Sequence, residues 1–344
     1  MYESELRLSI IVPVHNDARN LVECLTALKT AAIPGSELIV VDDASTDDPS
    51  AVAKRLGASP IRLEQHSGPS TARNRGAAVA CGEILFFVDS DVAVAPDAVR
   101  RVDAAFSEEP QLGAVFGSYD STPWAPGVVS QYRNLLHHFV HQHGDRDAST
   151  FWAGCGAIRR ACFTEVGGFD DGQFKRSAIE DIELGYRLRR RGYRILLDRQ
   201  LQGKHLKVWT FSSVVKTDIF SRAVPWSLLV LRGGGAPNDL NLKFGQRVSG
   251  LLVLLAAAAM LLTPFHLHLL AISVLALGAV VALNWPLYRF FLARRGVWFL
   301  ARALPLHWLY YLYSSLTYLA VYAVVQVRQL VGAFTPHADR DTSE

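Results

Sequence analysis

The sequence predicts an α/β protein, a mostly parallel β-sheet covered by helices, followed by helices that span a membrane. Two observations lead to this prediction. In the amino-terminal half, short β-branched runs alternate with helical stretches, a pattern typical of a sheet packed between helices. Residues 248–288 and 303–327 contain no Asp, Glu, Lys or Arg, whereas the first 240 residues carry charge throughout.

Acidic residues follow the predicted strands at the points where those strands end. Strands are predicted at residues 8–14, 38–41, 61–63, 84–88 and 194–197, and Asn16 or Asp17 can cap the helix after the first. In open α/β sheets the ligand crevice lies outside the carboxyl ends of the strands. We therefore expect the residues at these ends to converge on one site: His15, Asp43, Asp89 and Asp91.

The apolar segments predict a multi-pass membrane protein. Since roughly 20 apolar residues span a bilayer, three spans are expected, at about residues 246–265, 267–288 and 304–327. The amino terminus lacks the features of a signal peptide, and the excess of Lys and Arg beside the spans places the first domain in the cytoplasm. A bacterial inner membrane is the expected location.

The chain divides into four predicted parts. These are an α/β domain at residues 1–205, interfacial helices at 206–243, a membrane domain at 244–330 and a polar tail at 331–344. In the second part apolar residues such as Phe211 and Ile219 recur at helical spacing beside cations, which is typical of helices lying on anionic lipid. An ordinary amphipathic helix packed on the first domain is the alternative.

Charge and cysteine content argue against nucleic-acid binding and against disulfides or a zinc site. A net charge of +3 is too small to indicate nucleic-acid binding. The four cysteines have no paired spacing, so we expect free thiols and neither disulfides nor a zinc site.

The pair Asp89 and Asp91 predicts a cation site. In an extended segment residues i and i+2 point to the same side, and two close carboxylates repel each other unless a cation lies between them. Oxygen ligands favour Mg²⁺ or Mn²⁺, which commonly also binds a diphosphate. The alternative is an exposed turn.

Three further segments suggest ligand contacts. Asp43 can accept a hydrogen bond from a base N–H or a ribose hydroxyl, or it can lie in a helix cap. The loop beginning at Gly68 enters a helix that carries Arg73, which suits phosphate, although a solvated basic face is equally consistent. His137 and His141 share a helix face, but neither an acid nor a Cys nearby completes a metal site.

Another segment, beginning at Ser177, suggests a catalytic base. Ser177 and Glu180 have the spacing of a capping box, so Glu180 could serve only the helix backbone. Asp181 is not needed for that cap, and a carboxylate at a helix start can take a proton from an acceptor hydroxyl. His205 is a third metal ligand or a surface histidine.

Six segments together resemble one known family. They are SIIVPVHN (9–16), VVDDASTD (40–47), GPSTARNRG (68–76), FVDSD (87–91), GCGAIRRACFTEVGGFDD (154–171) and IEDIELGYRLRRRGY (179–193). In this order they resemble the family-2 inverting glycosyltransferases of GT-A fold, over residues 8–205.

The resemblance implies a nucleotide-sugar donor and Mg²⁺ or Mn²⁺. It makes Asp181 the general base and Asp91 a metal ligand, with Asp89 and His205 as further metal ligands. The implied donor-binding residues are Pro13, Val14, Asp43, Arg73 and Asp89. The implied acceptor-side residues are Gly154, Cys155, Glu180 and Trp209.

Two departures from the family pattern bear on the acceptor. Gly156 stands where many members have Asn, and of the Gln-x-x-Arg-Trp motif of processive synthases only Trp209 remains. A cleft held against the membrane then suggests a lipid acceptor, such as polyprenyl phosphate or a lipid-linked glycan. The alternatives are a processive polysaccharide synthase and an inactive nucleotide-binding membrane scaffold.

Overall fold

The computed structural model describes residues 8–174, 179–233 and 243–334, and an eight-stranded mixed sheet forms its first domain. The strands are β1 Leu8–Val14, β2 Glu37–Asp42, β3 Ser59–Arg62, β4 Ile84–Val88, β5 Val92–Val94, β6 Leu112–Tyr119, β7 Cys155–Arg159 and β8 Arg194–His205. Their order across the sheet is β3-β2-β1-β4-β7-β6-β8-β5.

Helices cover both faces of this sheet. They are α1 Ala18–Ala31, α2 Pro49–Arg55, α3 Pro69–Val79, α4 Ala98–Glu108, α5 Val128–Gln142, α6 Arg160–Glu165 and α7 Glu180–Arg190. In β1, Ile10 and Val12 join one apolar cluster with α1 and α4, and Ile11 joins the other with α3, α6 and α7. All seven residues of β1 are buried, Ser9 included, because helices cover both faces of the strand.

The predicted α/β fold is confirmed, with one difference in the sheet. Strands β3, β2, β1 and β4 are parallel neighbours, as expected. Strand β7 is antiparallel to both β4 and β6, and β5 is antiparallel to β8. Chain direction is set by the connections and leaves no trace in the apolar pattern of one strand, which is why the sequence did not indicate this reversal.

The remaining helices follow β8. They are α8 Phe211–Lys216, a π-helical segment Thr217–Ala223, α9 Val224–Gly233, α10 Phe244–Leu262, α11 Leu269–Leu283, α12 Trp285–Arg295 and α13 Val297–Phe334. Within the described residues, α10 and residues 297–329 are long and apolar enough to cross a membrane. A third span exists if α11 and α12, bent by 72°, count as one. The predicted second span is thus broken at Asn284.

Helix α5 joins the sheet domain to the helices that follow. Tyr132 and Leu135 pack in one cluster with Phe291 of α12 and Phe299 of α13. On the same helix Arg133 forms an ion pair with Asp218, with 2.7 Å between Nη2 and Oδ1 and both side chains nearly inaccessible. These contacts hold the sheet domain against the membrane helices.

A second contact ties the basic end of α12 to the sheet domain. Arg295 Nε donates to Gln131 Oε1 over 2.8 Å. This places Arg294 and Arg295 on the same side of the apolar helices as the sheet.

Candidate active site

The candidate site lies along the edge of the sheet where β1, β2 and β4 end. Asp43 directly follows β2, and Asp89 and Asp91 follow β4. Because the three strands are parallel neighbours, their carboxyl ends share this edge. His205 closes β8 and pairs with Val92, the residue after Asp91. The predicted residues Asp89, Asp91 and His205 therefore lie close together.

Asp43 is buried and fixes the loop that leads into α3. Its Oδ1 accepts from the Ser67 backbone N–H over 2.7 Å, and its Oδ2 accepts from Gly68 N–H over 2.8 Å. Its own N–H donates to the carbonyl of Val14 over 2.9 Å. Pro13 and Val14, which were predicted to bind the nucleotide-sugar donor, are buried within β1, so their side chains face the core.

A histidine that the sequence did not single out completes this corner. His66 Nδ1 lies 2.9 Å from Asp43 Oδ2, and its ring stacks on that of His15 with centroids 3.9 Å apart. Within the described residues, His15, Asp43 and His66 form the one group of three potential metal ligands within 4.8 Å of each other. His15 already contacts the Asp43 carbonyl and Asn16 through its two ring nitrogens. The stacked rings therefore form an exposed aromatic surface better suited to a flat ring than to a metal.

Arg73 is buried between two carboxylates. Nη2 donates to Asp89 Oδ1 over 2.8 Å and Nη1 donates to Glu180 Oε1 over 2.9 Å. Burial alone would lower the pKa of Arg73, but Asp89 and Glu180 outweigh it and raise that pKa. Arg73 is 4% exposed. Its guanidinium binds the carboxylates of Asp89 and Glu180, so it is less suited to bind a phosphate of the donor than the sequence suggested.

Glu180 is therefore neither a free capping residue nor an exposed acceptor contact. It is 3% exposed and its carboxylate points at Arg73. Ser177, its predicted capping partner, lies outside the described residues. The sequence did not indicate this pairing because Arg73 and Glu180 are far apart along the chain.

Asp181, the predicted base, lies next to this ion pair at the start of α7. Oδ2 accepts from the backbone N–H of Ala153 over 3.1 Å, and Oδ1 accepts from that of Ile182 over 2.8 Å. Burial, followed by the charge of Glu180, raises the pKa of Asp181 to about 7. A carboxylate with that pKa can accept a proton near neutral pH.

Asp91 and His205 face one another at the end of β8. His205 Nε2 lies 3.4 Å from Asp91 Oδ2, and Nδ1 lies 2.6 Å from Asn134 Oδ1. Burial would raise the pKa of Asp91, but the adjacent His205 ring outweighs it and lowers that pKa. With Nδ1 donating to Asn134 Oδ1, the Nε2 edge of the ring faces the Asp91 carboxylate. That pair fits a divalent cation with nitrogen and oxygen ligands.

Asp89, also predicted as a metal ligand, is paired with Arg73. Its Oδ1 accepts from Arg73, and within the described residues Asp89, Asp91 and His205 do not lie mutually within the spacing of a three-ligand group. Asp17, which the sequence suggested only as a helix cap, lies beside the Asp89–Asp91 turn. Its Oδ2 accepts from Ser90 Oγ over 3.0 Å. Burial raises the pKa of Asp17 to about 6.

Two of the predicted acceptor-side residues are in the core. Cys155 is fully buried in β7, and burial raises the pKa of its thiol. The carbonyl of Gly154 accepts from Asp89 N–H over 3.2 Å, and a Cβ at Gly154 would meet the Trp152 ring at 2.6 Å. Half-buried Trp152 therefore covers this position, and the glycine is required by its close approach.

Trp209 is buried and holds β8 against α5. Its backbone N–H donates to Ser130 Oγ over 2.8 Å, and Lys207 Nζ lies 4.5 Å from the centre of its ring. It is 7% exposed, so most of this predicted acceptor-side residue lies in the protein interior. The four cysteines are free, as expected.

The histidines of α5 pack around Tyr119 and Trp152. His138 Nδ1 contacts the Tyr119 carbonyl at 2.7 Å and His141 Nδ1 contacts that of Gly117 at 2.9 Å. The rings of His137 and His205 lie against Tyr119, at 4.3 Å and 4.2 Å between centroids. These contacts make a structural aromatic cluster beside His205.

Comparison with known proteins gives a consistent result. Residues 9–167 match the family described as Glycosyl transferase family 2. Validoxylamine A glucosyltransferase of Streptomyces hygroscopicus subsp. jinggangensis is 30% identical over 57% of this chain and 54% of its own length. Uncharacterized glycosyltransferase YibD of Escherichia coli is 36% identical over 28% of this chain and 29% of its own length. This chain thus spans about half of the first relative and under a third of the second.

A solved structure matches nearly the whole chain. The mannosyltransferase PcManGT from Pyrobaculum calidifontis, in complex with GDP-Man and Mn²⁺, has a TM-score of 0.57 and 20% sequence identity. The match covers 94% of this chain and 88% of that one. The sheet domain therefore has the GT-A fold, and the likeness extends into the helices that follow it.

Proposed function

We propose that the chain transfers a sugar from a nucleotide-sugar donor to a membrane-associated acceptor, with inversion at the anomeric carbon, because its residues 9–167 match glycosyl transferase family 2. In this proposal residues 1–205 are catalytic, 206–243 lie at the membrane surface, 244–330 anchor the chain and 331–344 are a polar tail. The donor would lie at the ends of β1, β2 and β4, with the sheet domain in the cytoplasm.

The position of Asp181 is the observation that carries the proposal. Its carboxylate is held by two backbone N–H groups beside the Arg73–Glu180 pair, and its pKa of about 7 suits a general base. In a single displacement it would accept the proton of the acceptor hydroxyl as the acceptor oxygen attacks the anomeric carbon. The bond from that carbon to the nucleoside diphosphate would break at the opposite face, which inverts the configuration.

Negative charge develops on the diphosphate as it leaves, and a cation bound at Asp91 would stabilise it. Asp91 and His205 would hold Mg²⁺ or Mn²⁺, which when bound neutralises charge that develops on the diphosphate. The mannosyltransferase from Pyrobaculum calidifontis was solved with GDP-Man and Mn²⁺, so GDP-mannose is the first donor to test here. The stacked rings of His15 and His66 offer the nucleobase a flat surface.

The helices after β8 support an acceptor that lies in the membrane. Phe211 and Phe220 are 51% and 71% exposed on α8 and the π-helical segment, with Lys216 and Arg222 close by in the chain. Apolar side chains beside cations are typical of segments that lie on anionic lipid. The same segment is joined to His205 through Trp209, so a polyprenyl phosphate or lipid-linked glycan would enter the cleft from this side.

Labelled nucleotide sugars test the proposal. Membranes that contain the protein are incubated with each donor and extracted with organic solvent, and labelled lipid that depends on Asp181 and Asp91 is the expected product. Label found only in water-soluble polymer would favour a processive synthase. Absence of both transfer and metal-dependent donor hydrolysis would favour an inactive scaffold.

A further inference from the structure

Asn134 lies inside α5 with its amide turned toward the end of β8. It is 1% exposed, and its Oδ1 lies 2.6 Å from Nδ1 of His205, which is 5% exposed. Its Nδ2 is buried with no hydrogen-bond partner among the described residues. Asn is a poor helix former, and burying an unpaired amide hydrogen costs stability. The hydrogen bond with His205 is the contact that offsets these costs.

That contact sets which edge of the His205 ring faces Asp91. An amide oxygen can only accept, so Nδ1 must be the protonated nitrogen while Oδ1 faces it. Nε2 then points toward Asp91 Oδ2 at 3.4 Å. Neutral imidazole with a free lone pair is the form that binds a metal.

The helix that carries Asn134 is fixed on two other sides. Ser130 Oγ accepts from the backbone N–H of Trp209, four residues beyond His205 in the chain. Arg133 forms its buried ion pair with Asp218, whose Oδ2 also accepts from Tyr313 Oη over 2.6 Å. The amide therefore cannot drift away from the ring as a surface side chain would.

We propose that Asn134 is a positioning residue for metal binding, which holds His205 in the Nδ1-protonated form so that Nε2 is available to a divalent cation shared with Asp91. This inference rests on the proposed function only in taking Asp91 and His205 as the cation site. Rotation of the amide by half a turn would instead present Nδ2 to Nδ1. His205 would then donate from Nε2 to Asp91, which closes the site without a cation.

The test measures metal binding without any sugar substrate. Mn²⁺ alone is titrated into the full-length protein in detergent, and free Mn²⁺ is followed by electron paramagnetic resonance. Asn134→Leu removes the acceptor and is expected to weaken Mn²⁺ binding by about 10- to 100-fold, the usual effect of losing a partner of a metal-bound histidine. Asn134→Asp keeps an acceptor at the same place and is expected to bind Mn²⁺ at least as tightly as the wild type.

Two comparisons separate the possible results. Asp91→Ala removes a ligand, so its loss of Mn²⁺ binding marks the site itself. Wild-type affinity in Asn134→Leu together with loss in Asp91→Ala would overturn the role of Asn134 while leaving the metal site intact. Equal weakening in the Leu and Asp variants would also overturn it, since packing and not the acceptor would then matter.

Folding is controlled independently. If Asn134→Leu is recovered unfolded, Asn134→Ser replaces it, because a Ser side chain is too short to reach the ring. Wild-type protein that binds Mn²⁺ no better than Asp91→Ala would overturn both this inference and the metal part of the proposed function. Sugar transfer that persists in such a protein would leave the rest of the proposed function standing.

Discussion

Glu180 accepts a hydrogen bond from Arg73 over 2.9 Å, and both side chains are about 95% buried. This pair joins α3 to the start of α7, and the residue after Glu180 is the proposed base. An ion pair between distant parts of the chain thus fixes the position of Asp181 and, through the negative charge of Glu180, raises its pKa.

Glu180→Gln should shift the pH profile of sugar transfer. The substitution removes the neighbouring charge that helps to raise the pKa of Asp181, so the acid limb of kcat against pH should move to lower pH. The control is Glu183→Gln on the same helix, where Glu183 pairs with Arg187. A limb that stays in place in Glu180→Gln would contradict the coupling.

Asp181→Asn should remove the chemical step and spare donor binding. General bases contribute roughly 10²- to 10⁴-fold, so kcat should fall by about that factor. In the wild type, transfer should rise with pH until Asp181, with a pKa of about 7, is fully deprotonated. Initial rates across pH and donor-induced thermal shifts check both parts. An Asn variant with the wild-type rate would exclude Asp181 as the base.

Removal of divalent metal should stop transfer. A chelator is expected to abolish activity in the wild type and added Mn²⁺ to restore it, because Asp91 and His205 face each other as the proposed metal ligands. Asp91→Ala should not be rescued by Mn²⁺ at the same concentration. Asp97→Asn, which alters an exposed pair with Arg101, should behave as the wild type. Full activity in the chelator would exclude a metal-dependent mechanism.

Asp218→Ala should loosen the junction between the sheet domain and the membrane helices. It leaves Arg133 buried without its charge partner, which is expected to cost about 3 kcal/mol in the free energy of unfolding. Urea unfolding in detergent, followed by tryptophan fluorescence, measures this. The matched control is Arg222→Gln, whose half-exposed pair with Asp218 should contribute under about 1 kcal/mol. Equal losses in the two variants would contradict the assignment.

Local patterns predicted much of the catalytic fold. The limits of β1 and β4 follow from apolar runs bounded by polar turns, and Asp43, Asp89 and Asp91 follow strand ends. These features depend on neighbours in the chain, so sequence reasoning reaches them. The family resemblance added the place of Asp181.

Contacts between distant segments were beyond that reasoning. The contact between Arg73 and Glu180 joins residues 107 positions apart. The contact between Asn134 and His205 joins residues 71 positions apart. Asn134 sits in a helical stretch with no local sign of a role. The break at Asn284 was missed because Asn and Trp add no formal charge to an apolar segment.

The most direct test of the central claim is transfer of labelled sugar into lipid by membranes that contain either the wild type or Asp181→Asn. The account predicts labelled, organic-extractable product that requires Mn²⁺ or Mg²⁺ with the wild type. With the variant it predicts product reduced by about 10²-fold or more. Equal amounts of labelled lipid from both proteins would contradict it.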